Sequence, residues 1–186
     1  RTISESRPAA TAVLRGDDKH PDIHGTVAFY PADNGTIVVA EVRGLPGGTG
    51  PCGYPVLGFH IHSGGRCSGN ASDPFVDTGP HYDPHDCSHP FHAGDMPPLF
   101  SNNGFAWMAF YTERIAVDEI IGRAVIIHDS QDDFTTQPSG NSGKKIAAAD
   151  SPQILIMSVH NMRTVLPSDL GEALIQGRTE GPSDNI

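Results

Sequence analysis

The sequence predicts an all-β fold, an antiparallel β-sandwich interrupted by two long loops. Three observations carry that prediction. Breakers are dense, with 21 Gly and 16 Pro in 186 residues, which argues against long helices and for short strands joined by turns. Runs rich in β-branched residues recur at 11–14, 25–30 and 36–42, the composition of half-buried strands. Asn34-Gly35 separates two of these runs, and Asn-Gly between apolar strands is a strong hairpin signal.

The elements follow in order. Residues 1–9 are polar and read as a flexible N-terminal segment. Strands are expected at 11–14, 25–30 and 36–42, with Gly16-Asp-Asp and Asp33-Asn-Gly35 as the turns. Residues 56–62 form a fourth strand. A stretch from 63 to about 103, rich in Gly, Pro, Asp and His, has no sustained periodicity. A loop that long in a compact domain calls for a functional reason. Strands resume at 104–111, 120–121 and 123–128, and 129–143 is a second polar loop. A last strand is expected at 154–159, and a short helix at 168–175 with Ser168 as its cap.

Composition narrows the function. Hydrophobic residues make up 37%, enough for one globular domain. No apolar run is long enough to span a bilayer. No basic stretch followed by an apolar one opens the sequence, so any export signal is expected to have been removed or never present. The net charge of −10, from 22 acidic and 12 basic residues, argues against nucleic acid as a partner. Three cysteines, Cys52, Cys67 and Cys87, predict one disulfide and one spare thiol.

The histidines are clustered. Six of ten lie between His60 and His92. His60 and His62 alternate on one strand, so both rings project from the same face while Ile61 points away. Alone, that pattern also fits a polar strand face. The segment 79–95 is more specific. It holds His81, His85, His89, His92 and Asp95, from which three imidazoles and a carboxylate could make a tetrahedral zinc site. His128 ends an apolar strand just before Asp129.

Gly58-Phe-His-Ile-His62, Gly79-Pro-His-Tyr-Asp-Pro84, His92-Ala-Gly-Asp95, Ile121-Gly-Arg-Ala-Val-Ile-Ile-His-Asp-Ser-Gln-Asp-Asp133 and Gly140-Asn-Ser-Gly143 occur in that order. Together they resemble the successive signatures of the Cu/Zn superoxide dismutase family, over roughly 10–149. The resemblance implies a Greek-key β-sandwich or flattened barrel. It divides the chain into 1–9, a dismutase-like domain at 10–149 and an extension at 150–186. It implies copper on His60, His62, His81 and His128, and zinc on His81, His89, His92 and Asp95, with His81 bridging. His85 competes with His89 by composition, and the family's spacing favours His89. Asp132 falls where the family links a copper-bound and a zinc-bound histidine. The implied chemistry is disproportionation of superoxide by copper cycling, with His81 carrying a proton.

Superoxide is an anion and the chain is acidic, so the site needs a local positive focus. Lys145 aligns with the family's arginine, and Lys144 stands beside it. Lysine keeps the charge and loses the planar fork. The family's last-strand cysteine is replaced at Ala148, so its usual disulfide is not available. The family places the chain outside the cytoplasm, and a homodimer is among the assemblies the sequence allows. Two other readings remain beside the dismutase: a non-catalytic copper- or zinc-binding protein, and a structural sandwich that keeps only zinc.

Overall fold

The structure is a computed structural model and describes residues 7–150 and 152–154. Ten strands follow in order: β1 (Ala10–Gly16), β2 (His24–Ala32), β3 (Gly35–Arg43), β4 (Val56–Leu57), β5 (Phe59–His62), β6 (Leu99–Phe100), β7 (Ala106–Thr112), β8 (Ala124–His128), β9 (Lys145–Ala149) and β10 (Gln153–Ile154). Every pairing between them is antiparallel. Among the described residues, helical structure is confined to two single turns of 3-10 helix, Val76–Thr78 and Asp118–Ile120.

The main sheet runs β5-β8-β9-β1-β2-β3-β7, with β10 also paired to β1. The β2–β3 turn spans two residues, since Ala32 faces Gly35. That tight turn is what the Asp-Asn-Gly sequence encodes. The connections from β3 to β5 and from β7 to β8 each cross from one side of the sheet to the other, past the strands between, as Greek-key connections do. The sheet curls so that its two halves face each other. Val27 and Phe29 of β2 and Val38 and Ala40 of β3 share one core with Phe59 and Ile61 of β5 and Val125 and Ile127 of β8. Each fully buried large apolar side chain contributes on the order of 1.5–3 kcal/mol.

Three expectations need correction. The expected strand 56–62 is broken at Gly58, where the chain passes from a small β4–β6 sheet into the main one. Gly58 meets the side chains of Ser142 and His128 so closely that a Cβ would collide. Ile120 closes a 3-10 turn and Ile121 lies in the turn after it, so neither is in a strand, and Ile120 is fully buried in the core. The expected disulfide is not formed. Cys52 and Cys87 are exposed on separate loops, and Cys67 packs against Phe75, Ala124, Ile126 and Ala148. Of the last expected strand, 154–159, only Ile154 lies among the described residues, at the end of β10, and 155–159 and the expected helix at 168–175 lie outside them.

Candidate metal centre

The site grows from the outer face of β5 and β8. Period two sends Phe59, Ile61, Val125 and Ile127 into the core. His60, His62, Ala124, Ile126 and His128 therefore face outward. They are buried all the same, because the loop between β5 and β7 folds over them. That loop is sewn to the free edge of β5 through its backbone: Ile61 N donates to Gly94 O at 2.9 Å and Tyr82 N donates to Ile61 O at 2.8 Å. The same bonds set His81 beside His62 and Asp95 beside His60.

A register shift between Ile127 and His128 completes the arrangement. Ile127 faces Ala147 and His128 faces Lys145, so Ile146 is the extra residue. Bulges re-aim side chains at sites. Here the bulge keeps Ile146 and Ala147 both in the core and turns Lys145 to the outer side, with His128.

Two donor sets result. One ring nitrogen each from His60, His62, His81 and His128 lie within 4.8 Å of one another. So do single atoms of His81, His89, His92 and Asp95. His81 belongs to both. His85 is exposed and belongs to neither. Several of the spacings fit ligands around a shared ion. His89 Nδ1 and His92 Nδ1 each lie 3.1 Å from Asp95 Oδ2, yet neither makes a hydrogen bond. Four ligands about 2.0 Å from a tetrahedral zinc would be about 3.3 Å apart. His62 Nε2 and His128 Nε2 are 3.3 Å apart. His60 Nδ1 and His81 Nε2 are likewise buried without a partner. Buried polar atoms are rarely orphaned, and a cation at each centre would satisfy them all.

The opposite nitrogen of most rings is anchored. His60 Nε2 and His89 Nε2 each lie 2.8 Å from one oxygen of Asp132. His62 Nδ1 donates to Gly79 O at 2.7 Å, and His128 Nδ1 to Gly143 O at 3.3 Å. An outward N–H leaves the inward nitrogen as a lone pair, the tautomer a metal needs. His81 is the exception. Its Nδ1 lies 2.7 Å from Asp95 Oδ1 inside the second set, and its Nε2 points into the first. Asp132 is itself steadied by Phe134 N at 2.8 Å. Gly140, at a φ of 66°, lies so close beneath this carboxylate that a Cβ would displace it.

Electrostatics favour neutral rings at His62, His81 and His128. Burial, then the imidazoles of His81 and His128, push His62 well below the ordinary histidine range. Burial and His60 bring His128 down to about 3. Burial also lowers His81. Burial would raise Asp95, but the hydrogen bond and charge of His81 outweigh it and leave the carboxyl lowered. Asp132 is held well below the usual range in spite of burial, through hydrogen bonds from His60, the Phe134 amide and His89. Neutral imidazoles and ionised carboxylates are the forms that bind cations.

A cavity of about 650 Å³ opens over the first set, lined by His62, His81, His128, Tyr82, Arg123 and Lys145 among others. Lys144 lines a neighbouring hollow instead. Lys145 Nζ is 3.0 Å from Asp73 Oδ2 and donates to Phe75 O at 3.0 Å. Sequence reasoning gave no role to Gln137. Its side chain accepts from His89 N at 2.9 Å and donates to His89 O at 2.7 Å, pinning the backbone of that residue. Only its place in the second polar loop could have suggested it.

Fold and site together define an all-β protein with a binuclear donor site on the outside of its sheet. Residues 23–150 match the family model of copper/zinc superoxide dismutase. The Cu-Zn superoxide dismutase of Deinococcus radiodurans is 33% identical over 162 residues, which cover 76% of this chain and 85% of the relative. That of Photobacterium leiognathi is 32% identical over 137 residues, 66% of this chain and 75% of the relative. A solved double mutant of a SOD-like protein from Bacillus subtilis has a TM-score of 0.65 at 28% identity, covering 77% of this chain and 98% of that one. The chain belongs to the copper/zinc superoxide dismutase family.

Proposed function

We propose that this chain is a superoxide dismutase, converting two superoxide ions and two protons to oxygen and hydrogen peroxide. One observation carries the reading: two compact donor sets share His81, and both nitrogens of that ring face donors instead of a backbone carbonyl. In this reading His60, His62, His81 and His128 hold copper, and His81, His89, His92 and Asp95 hold zinc. Copper supplies the one-electron couple that superoxide needs, and zinc supplies a redox-silent charge. The protein does the rest. Asp132 fixes the His60 and His89 rings relative to each other. His81 Nε2, buried without a partner among the described residues, would carry a proton to the product whenever it is not itself a ligand. The cavity admits a small anion to His62, His81 and His128. Lys145 lines it and offers a positive charge, and Lys144 adds to the field from outside.

The working domain is assigned to 10–149, with 150–186 as an extension that adds β10 to β1, on the strand that β9 also pairs. An extracytoplasmic location and a homodimer belong to the same proposal and rest on the family alone. Among the described residues no helix is long and apolar enough to cross a membrane. The test is metal content per chain after reconstitution, followed by superoxide decay in a pulse experiment. One copper, one zinc and fast decay are expected. A chain that holds both metals and leaves superoxide decay unchanged is a metal-binding protein and no dismutase. The ion pair of Lys145 with Asp73 is the observation that favours this second reading.

A further inference from the structure

We infer that Arg123 is the principal anion-attracting group of this site, ahead of the two lysines that follow the Gly-Asn-Ser-Gly motif. The inference rests on the dismutase reading of the metal centre and names the residue that brings an anionic substrate to it.

Arg123 stands at the entry to β8, directly after Gly122, whose φ of 87° turns the chain there. Its backbone N donates to Ile120 O at 3.2 Å. Its side chain lies flat on the Tyr82 ring, with the guanidinium carbon 3.7 Å from the ring centroid. Nε donates to Glu119 O at 2.7 Å and Nη1 donates to Ser63 O at 3.1 Å. The guanidinium is therefore fixed between the residue after His62 and the residue after His81. It lines the cavity that His62, His81 and His128 also line.

What separates Arg123 from the other cations is its partners. Its oxygen partners are neutral carbonyls, and among the described residues it makes no ion pair. Carbonyls orient a guanidinium and leave its full charge in the cavity, and among the described residues Nη2 meets no acceptor. Lys145 instead spends much of its field on Asp73. Lys144 lies outside the cavity. The acid that does line the cavity, Asp83, is turned to its own loop, where the Cys87 amide donates to it at 2.8 Å and the His85 amide at 3.4 Å. In a chain of net charge −10, a preorganised cation at the mouth, free of ion pairs among the described residues, is the focus that an anion requires. Tyr82 stacking supports the charge without neutralising it.

Azide, a small anion that binds copper, is the probe, read by its optical titration in protein loaded with copper and zinc. In the unmodified protein the azide affinity should fall steeply as ionic strength rises. Arg123→Gln should weaken azide about fivefold or more, the size expected for removing one nearby charge at intermediate dielectric. It should also flatten the salt dependence. Arg123→Lys should recover the affinity to within about twofold. Metal content and the copper electron paramagnetic resonance spectrum should stay the same in both variants. A flat salt dependence in the unmodified protein overturns the inference without any variant. So does unchanged azide affinity in Arg123→Gln. An altered copper spectrum in Arg123→Gln that Arg123→Lys fails to restore makes Arg123 a brace for the loop and also overturns it. Absence of superoxide turnover in metal-loaded protein sinks the dismutase reading alone, since the azide series still decides the anion site.

Discussion

The two halves of the sheet obey different rules. In β1, β2, β3 and β7 one face is apolar and buried and the other meets solvent. Leu14, Phe29 and Val38 are fully enclosed, while Val13, Trp107 and Tyr111 are half or more exposed. In β5 and β8 both faces are buried, yet the outer one carries imidazoles. The first half is held by the removal of apolar surface from water. The cover of the second half is a polar loop whose order depends on backbone bonds to β5 and on what the histidines bind.

The largest break in that comparison is removal of the metals. Binding to the folded state alone stabilises by about 4 kcal/mol at a thousandfold excess over Kd. Stripping both ions should lower the melting temperature and abolish amide protection in 63–103 and 129–143. Strands β1, β2, β3 and β7 should keep theirs. Hydrogen exchange of loaded and stripped protein measures both halves in one experiment. Equal loss of protection in both would erase the distinction.

A covalent tether should act next most strongly, and only on the second half. Cys67 lies on the loop and packs against Ala148 of β9. Ala148→Cys should form a disulfide with Cys67 under oxidising conditions and add about 2–4 kcal/mol. The Cys67 thiol, pushed up to about 12 by burial and by Asp150, is a poor nucleophile, so pairing should be slow without an oxidant. Non-reducing mass spectrometry and thermal melts check the bond and its effect. A variant that pairs and leaves the stripped loop as mobile as before would show that the loop's order does not depend on closure at this point.

The same contrast explains what the sequence disclosed. The alternation of β1 to β3 and the Asn-Gly turn are local, so strand type and turn position were legible there. The strands of the β5–β8 half were legible too, as the runs at 56–62 and 123–128, while its donor residues stood out through the clustering of the histidines and the resemblance to a known family. Its finer parts depend on tertiary contact. The break at Gly58 comes from the approach of Ser142 and His128. The pinning of His89 by Gln137 joins residues 48 apart. The ion pair that occupies Lys145 joins residues 72 apart. Neither pairing leaves a periodic trace. Ile120 misled because a lone buried apolar residue reads alike in a strand and in a plugged turn.

Acidification of the stripped protein gives the smallest effect and the sharpest sign. The folded protein holds His62, His81 and His128 below the unfolded histidine value of about 6.5. The unfolded chain then binds more protons than the folded one as pH falls below 6.5, so stability is lost in that direction. For His128 the window runs from about 6.5 down to its folded value of about 3. Between pH 6.5 and 5 that residue alone should cost about 1.5–2 kcal/mol. Asp95 and Asp132 are shifted the other way relative to their own charge and add their loss only below the unfolded carboxylate value of about 3.9. Stripped protein should therefore weaken in two stages, histidines before carboxylates. Loaded protein should hold through the first stage until protons displace the metals. Denaturant melts at half-unit pH steps would resolve the stages. A stripped protein equally stable at pH 6.5 and 5 would mean that the histidine cluster opens to water without its ions, and that the second half of the sheet loses its cover even at neutral pH.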